Sequence, residues 1–187
     1  MDETDDGEDF ARESTAERII RLTGEISEET SESFILNLHR VAKIPGEIIV
    51  IVSSEGGDIE EGLRIIDALR IAKNNGCPVH TVVSGKAYSM AAYIVCTGDT
   101  RTIYPHSRLM FHASRFEGAD DGRTLTAVEL QKMHDELSLS DGVFRELMAN
   151  VGLDQETIER MLASDTYVNA EEAISLGIIN SIETAII

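Results

Sequence analysis

Apolar and polar positions alternate along this chain in two periods that take turns, first of a strand and then of a helix. Arg18-Ile19-Ile20-Arg21-Leu22-Thr23 predicts a short strand closed by Gly24. Phe34, Ile35, Leu38 and Val41 then recur at helical spacing. Ser27 caps that helix, and Glu28 and Glu29 sit in a first turn favoured by the helix dipole. Glu47-Ile48-Ile49-Val50-Ile51-Val52 is a near-continuous β-branched run, the pattern of a parallel strand buried on both faces. Beyond Ser53-Ser54-Glu55-Gly56-Gly57, Asp58 caps a long helix with Glu61 in the capping-box position. Ile59, Leu63, Ile66, Leu69 and Ala72 form its stripe, and Asn74-Asn75-Gly76 ends it. Val79 to Ser84 predicts a third strand, which turns through Gly85-Lys86-Ala87-Tyr88-Ser89 into the apolar, helix-compatible run Met90 to Thr97.

Such alternation implies right-handed βαβ units and a parallel sheet, so the fold class is α/β. Short strands follow at Arg101-Thr102-Ile103 and Arg108-Leu109-Met110-Phe111, the second running straight into His112. The polar stretch Ser114 to Gly122 reads as an extended arm. From Thr126, with Glu129 as capping-box partner, a long helix runs towards Asn150 and Gly152, with Val128, Met133, Leu137, Val143 and Leu147 as its stripe. Gly142 should weaken or bend it. Asp154 caps a short helix, and Asn169 with Glu172 caps a last one that stops at Gly177. Ile178-Ile179 is expected to add a final strand.

Composition narrows the function classes. The acidic segment 1–17 has too little apolar content to fold alone and reads as flexible, leaving 18–187 as a single domain. A formal charge of −18 argues against nucleic acid and anionic membranes as partners. No window reaches the length of a membrane span, and the acidic start has the wrong sign for a leader, so a cytoplasmic protein is expected. Cys77 and Cys96 have no metal-site spacing and read as free thiols in a reducing compartment.

Candidate chemistry collects at strand ends. Ser89 lies at a strand-to-helix turn, a position that exposes a hydroxyl and places a backbone N–H just behind it. A serine nucleophile needs an imidazole within reach and a carboxylate to hold that imidazole's tautomer. Of five histidines, His39 and His134 fall in helices, His80 in a strand and His106 in a Pro-containing loop, whereas His112 terminates an apolar strand. Among 34 acidic residues, Asp165 stands out modestly because it lies between helices and caps neither. The pair Gly56-Gly57 lets backbone N–H groups approach a ligand. A plain helix-entry turn or a phosphate cradle would also use glycine there, although neither GxGxxG nor the P-loop pattern is present.

Taken in order, Arg18 to Ile26, Ser54-Glu55-Gly56-Gly57, Gly85 to Met90, Ser107 to His112, and Asp165 to Gly177 with Ala170-Glu171-Glu172-Ala173 resemble the Clp protease proteolytic subunit family, the ClpP-like serine peptidases. The resemblance covers about Arg18 to Ile182. It implies a crotonase/ClpP-like spiral of βαβ units with a protruding strand-helix handle at about 114–151. It places the nucleophile on Ser89, the general base on His112, the orienting acid on Asp165 and the oxyanion hole on the N–H groups of Gly57 and Met90. No cofactor or metal is implied. The implied partners are polypeptide substrates, further copies in stacked heptameric rings, and an AAA+ unfoldase that feeds the chamber. The chain departs from the family pattern at Glu55, Lys86, Tyr88, Ala113-Ser114 and Ser164, and has Ile49 and Ile51 where aromatic residues help form the unfoldase pocket. Rival readings are a crotonase-type acyl-CoA enzyme without a nucleophile, a Ser/Lys peptidase using Lys86, an inactive ring subunit, and a phage head-maturation protease.

Overall fold

The alternating pattern is realised in a computed structural model that describes residues 18–115 and 124–185. The strand β1 (Ile19–Ile26) leads to α1 (Glu28–Val41), β2 (Ile48–Gly57) to α2 (Ile59–Asn74), and β3 (Val79–Tyr88) to α3 (Met90–Val95). They are followed by β4 (Thr100–Ile103), β5 (Arg108–Phe111), α4 (Ala127–Asn150), α5 (Gln155–Leu162), β6 (Thr166–Asn169), α6 (Ala170–Ser175) and β7 (Ser181–Ile182). The main sheet has the order β1-β2-β3-β4-β7, every pair parallel. Strands that advance one place at each crossover, with connections of one hand, leave their helices on one face of the sheet. Phe34 and Leu38 of α1, Ile65, Ile66 and Leu69 of α2, and all of α3 accordingly share one core with Val50 and Val52. Among the described residues the other face carries the small cluster Ile49, Ile51 and Val82, flanked by Ile19 and Tyr104. Thus β2 is buried on both sides, thickly on one and thinly on the other.

Two glycine-bearing segments read as turns are instead extended. β2 continues through Gly57 and β3 through Tyr88 because adjacent strands pair with them, Ile26 beside Gly57 and Ser54 beside Ala87. Along its other edge β3 pairs first with β4, over His80–Val83, and then with β5, over Lys86–Tyr88. At the changeover the amide of Gly85 donates to the buried Ser107 hydroxyl at 2.7 Å. That sharing is what brings a second group of strands to the end of β3.

Other differences have local causes. Asp58 accepts from the Glu61 amide, but the Glu61 carboxylate leaves the cap for Ser31 and Arg64, so the box is only half formed. Ile178 and Ile179 sink into the core, and β7 starts only at Ser181. In α4 only Phe144, Leu147 and Met148 are buried, while Val128, Leu130 and Leu139 are 66%, 53% and 74% exposed. The helix runs through Gly142 without a break. The segment 1–17 and most of the arm expected at 114–122 lie outside the described residues.

Beneath the site, Tyr93 stacks on Phe144 with ring centroids 3.9 Å apart and meets Phe111 edge-on at 5.5 Å. Burial raises its phenol well above the usual range. Burial likewise pushes the Cys96 thiol up to about 12. Since the thiolate is the reactive form, native protein at about pH 8 should leave Cys96 unalkylated by iodoacetamide, with modification appearing only after unfolding in guanidinium. Peptide mass mapping checks this, and fast native alkylation would place the thiol outside the core.

Candidate active site

Strand register assembles the candidate residues. Tyr88 of β3 lies opposite Met110 of β5, and Phe111 of β5 lies opposite Thr166 of the antiparallel β6. Ser89 follows Tyr88, His112 follows Phe111 and Asp165 precedes Thr166, so the three residues leave neighbouring strand ends. Gly57 ends β2 on the other side of β3. The site therefore sits at the carboxyl ends of β2, β3 and β5, where parallel sheets present functional groups.

Ser89 is held rather than merely placed there. Its φ of 53° and ψ of −127° make it the one non-glycine residue at positive φ among the described residues. Such a backbone costs on the order of 1–3 kcal/mol and persists only where its surroundings impose it. The Ser89 amide donates to Met110 O at 2.8 Å, and Ser89 O accepts from the Ala92 amide at 2.9 Å. The six residues of α3 are all buried behind it. The Met90 side chain packs against Gly62, where a Cβ would come within 2.2 Å of it. Met90 is the first residue of α3, so its N–H has no partner within the helix.

Gly56 and Gly57 are squeezed from opposite directions. A Cβ on Gly56, at φ +95°, would lie 2.7 Å from Tyr88 O and 2.8 Å from Ser89 Cβ. One on Gly57, at φ +146°, would lie 2.3 Å from Ile26 O. Two glycines are needed because one meets the serine elbow and the other meets β1. This explains the pair better than a helix-entry turn would.

His112 is fixed through its backbone, since the Tyr93 hydroxyl donates to His112 O at 2.6 Å. Its Nδ1 lies 2.6 Å from Ala113 O, a group that can only accept. Arg115 Nε, which can only donate, lies 3.2 Å from the same nitrogen, so Nδ1 has one acceptor and one donor beside it and serves the carbonyl only when it carries the proton. Among the described residues no hydrogen bond joins Ser89 to His112 or His112 to Asp165. Instead the exposed Arg115 reaches between the last two, with Nη2 on Asp165 Oδ1 and Nε 3.2 Å from His112 Nδ1. Nothing in the apolar pattern singles out Arg115, which lies in the polar stretch read as an arm.

Around the mouth, Lys86 pairs with Glu55 at 3.0 Å, both roughly half exposed. The Lys86 ammonium holds the Glu55 carboxyl below the usual carboxylate range. A lysine engaged with a carboxylate in solvent lacks the desolvation that prepares an amine as a base. Tyr88, the residue before Ser89, meets Tyr167 edge-on at 5.6 Å across the intervening strand. The arrangement thus offers a hydroxyl on a strained backbone, an imidazole, a nearby carboxylate and a helix-start N–H, the parts required for acyl transfer. No helix among the described residues is long and apolar enough to cross a membrane.

A family model described as Clp protease matches residues 3–185. The ATP-dependent Clp protease proteolytic subunit of Pleurastrum terricola is 29% identical over 168 residues, covering 88% of this chain and 82% of that protein.

Proposed function

The chain belongs to the Clp protease family and is a Clp-type serine peptidase; from that premise we propose that Ser89 is its nucleophile, His112 its general base, Asp165 its orienting acid, and the N–H groups of Gly57 and Met90 its oxyanion hole. The observation that carries this assignment is the register that gathers Ser89, His112 and Asp165 at adjacent strand ends. His112 Nε2 takes the Ser89 proton as Oγ bonds to the substrate carbonyl carbon, and the oxyanion forms against the two amides. The same imidazole returns the proton to the leaving amine as the C–N bond breaks. Water then adds to the acyl-enzyme with His112 again as base, releasing the acid and restoring Ser89.

The substrates are polypeptides, and the working particle is a homo-oligomer, with stacked heptameric rings as the arrangement that the family resemblance implies. The exposed Val128 and Leu139 of α4 support assembly, since about three turns apart they fall on the same side of the helix and leave apolar surface there to be covered. An AAA+ unfoldase is the proposed feeder, and the cytoplasm the proposed compartment.

A fluorophosphonate probe tests the assignment on the assembled protein. Labelling confined to Ser89 by peptide mapping is expected, accompanied by hydrolysis of small fluorogenic peptides. An unlabelled Ser89 in a correctly assembled particle would sink the nucleophile and favour a crotonase-type acyl-CoA enzyme, which uses an oxyanion hole alone.

A further inference from the structure

Resting on that assignment, we propose that Arg115 is a positioning residue that sets how often the site is ready to react, by competing with His112 for Asp165. The guanidinium Nη2 bonds Asp165 Oδ1, and its Nε lies 3.2 Å from the ring nitrogen that the acid would otherwise engage. His112 Nδ1 thus lies between that Nε and the neighbouring carbonyl of Ala113, 2.6 Å away. Neither neighbour carries the negative charge that would stabilise the imidazolium that forms as Ser89 attacks. Asp165 supplies that charge only after exchanging Arg115 for the Nδ1–H.

The exchange is accessible because the pair is weak. Arg115 and Asp165 side chains are 49% and 46% exposed, so solvent screens them and the competition is shallow. The other carboxylate near this turn is occupied, since Asp141 accepts from the Ser114 amide at 2.7 Å and thereby anchors the chain just before Arg115. Asp165 is therefore the carboxylate that Arg115 holds and that His112 must share.

The test compares assembled wild type, Arg115→Met, Asp165→Asn and the double variant by the rate of fluorophosphonate labelling of Ser89. Arg115→Met should label about twofold to fivefold faster, the range open to an exposed ion pair, and raise kcat for a small peptide with KM unchanged. The wild-type rate should climb with added NaCl towards that of the variant, whose own rate stays flat. In the Asp165→Asn background the arginine substitution should bring no gain. Labelling of Arg115→Met at or below the wild-type rate, with native mass and circular dichroism unchanged, would overturn the proposal. So would a gain that survives Asp165→Asn. Should Arg115→Met assemble poorly, Arg115→Gln is judged by the same criteria. Labelling of wild type without a gain in the variants defeats this inference alone, whereas no adduct in any of them defeats the nucleophile assignment and this inference with it.

Discussion

Ser89→Ala should reduce peptide hydrolysis by on the order of ten-thousand-fold to a million-fold while leaving the particle assembled. The size follows from how nucleophile and base act as a unit: with either removed, only substrate binding and the oxyanion donors continue to work. His112→Ala should therefore fall nearly as far, and Ser89→Ala/His112→Ala hardly further than either. Structure should survive because alanine keeps a Cβ and fits the same φ of 53°, already imposed by the bond to Met110 O and by buried α3. Ser89→Gly separates strain from chemistry. It removes the Cβ from a left-handed position and should melt at or above the temperature of Ser89→Ala, yet be equally inactive. Hydrolysis of a fluorogenic peptide, normalised to particle concentration by native mass, reads the first effect. Activity of Ser89→Ala above about one part in a hundred would mean that another residue is the nucleophile.

Gly57→Ala carries the other large effect, and it should act on fold and chemistry together. The new Cβ would stand 2.3 Å from Ile26 O and 2.8 Å from Ile26 N, backbone atoms of a paired strand that has little room to retreat. Added to the cost of φ +146° for an alanine, this predicts a loss of about 2–4 kcal/mol. For a chain of this length the melting temperature should drop by about 5–15 °C. Easing the clash requires β2 to shift at Gly57 and carries its N–H away from the oxyanion, so the labelling rate of Ser89 should fall roughly a hundredfold even in folded protein. Gly24→Ala is the control: a Cβ there meets nothing within 4 Å, so only the backbone strain of φ +77° remains. It should cost about 1 kcal/mol and leave labelling unchanged. Equal effects at Gly24 and Gly57 would show that close approach to β1 is not the reason for the glycine.

Both experiments draw on features of different legibility. Ser89 could be marked in the sequence because a strand pattern, a cluster of small residues and an apolar helix meet at one point. His112 was the histidine at the end of an apolar strand, a local cue, while Asp165 was one of 34 acidic residues and needed the family resemblance. Gly56 and Gly57 were visible as a pair, but the reason for two lies in atoms of Ser89 and Ile26, remote in sequence from one or both.

What the chain determines by itself is what neighbouring residues can enforce. Ser27, Asp58, Thr126, Asp154 and Asn169 cap the helices expected of them, because a cap is made within three residues. The alternation of strand and helix is of the same kind. Tertiary structure alone decided that β3 passes from β4 to β5, that Ile178 and Ile179 are core rather than strand, and that the first half of α4 stands uncovered. It also decided that Asp165 meets Arg115, 50 residues earlier in the chain. The reason is physical. A pattern of apolar positions specifies which face of an element is buried, but a charged side chain finds its partner only after the elements bearing the two have docked.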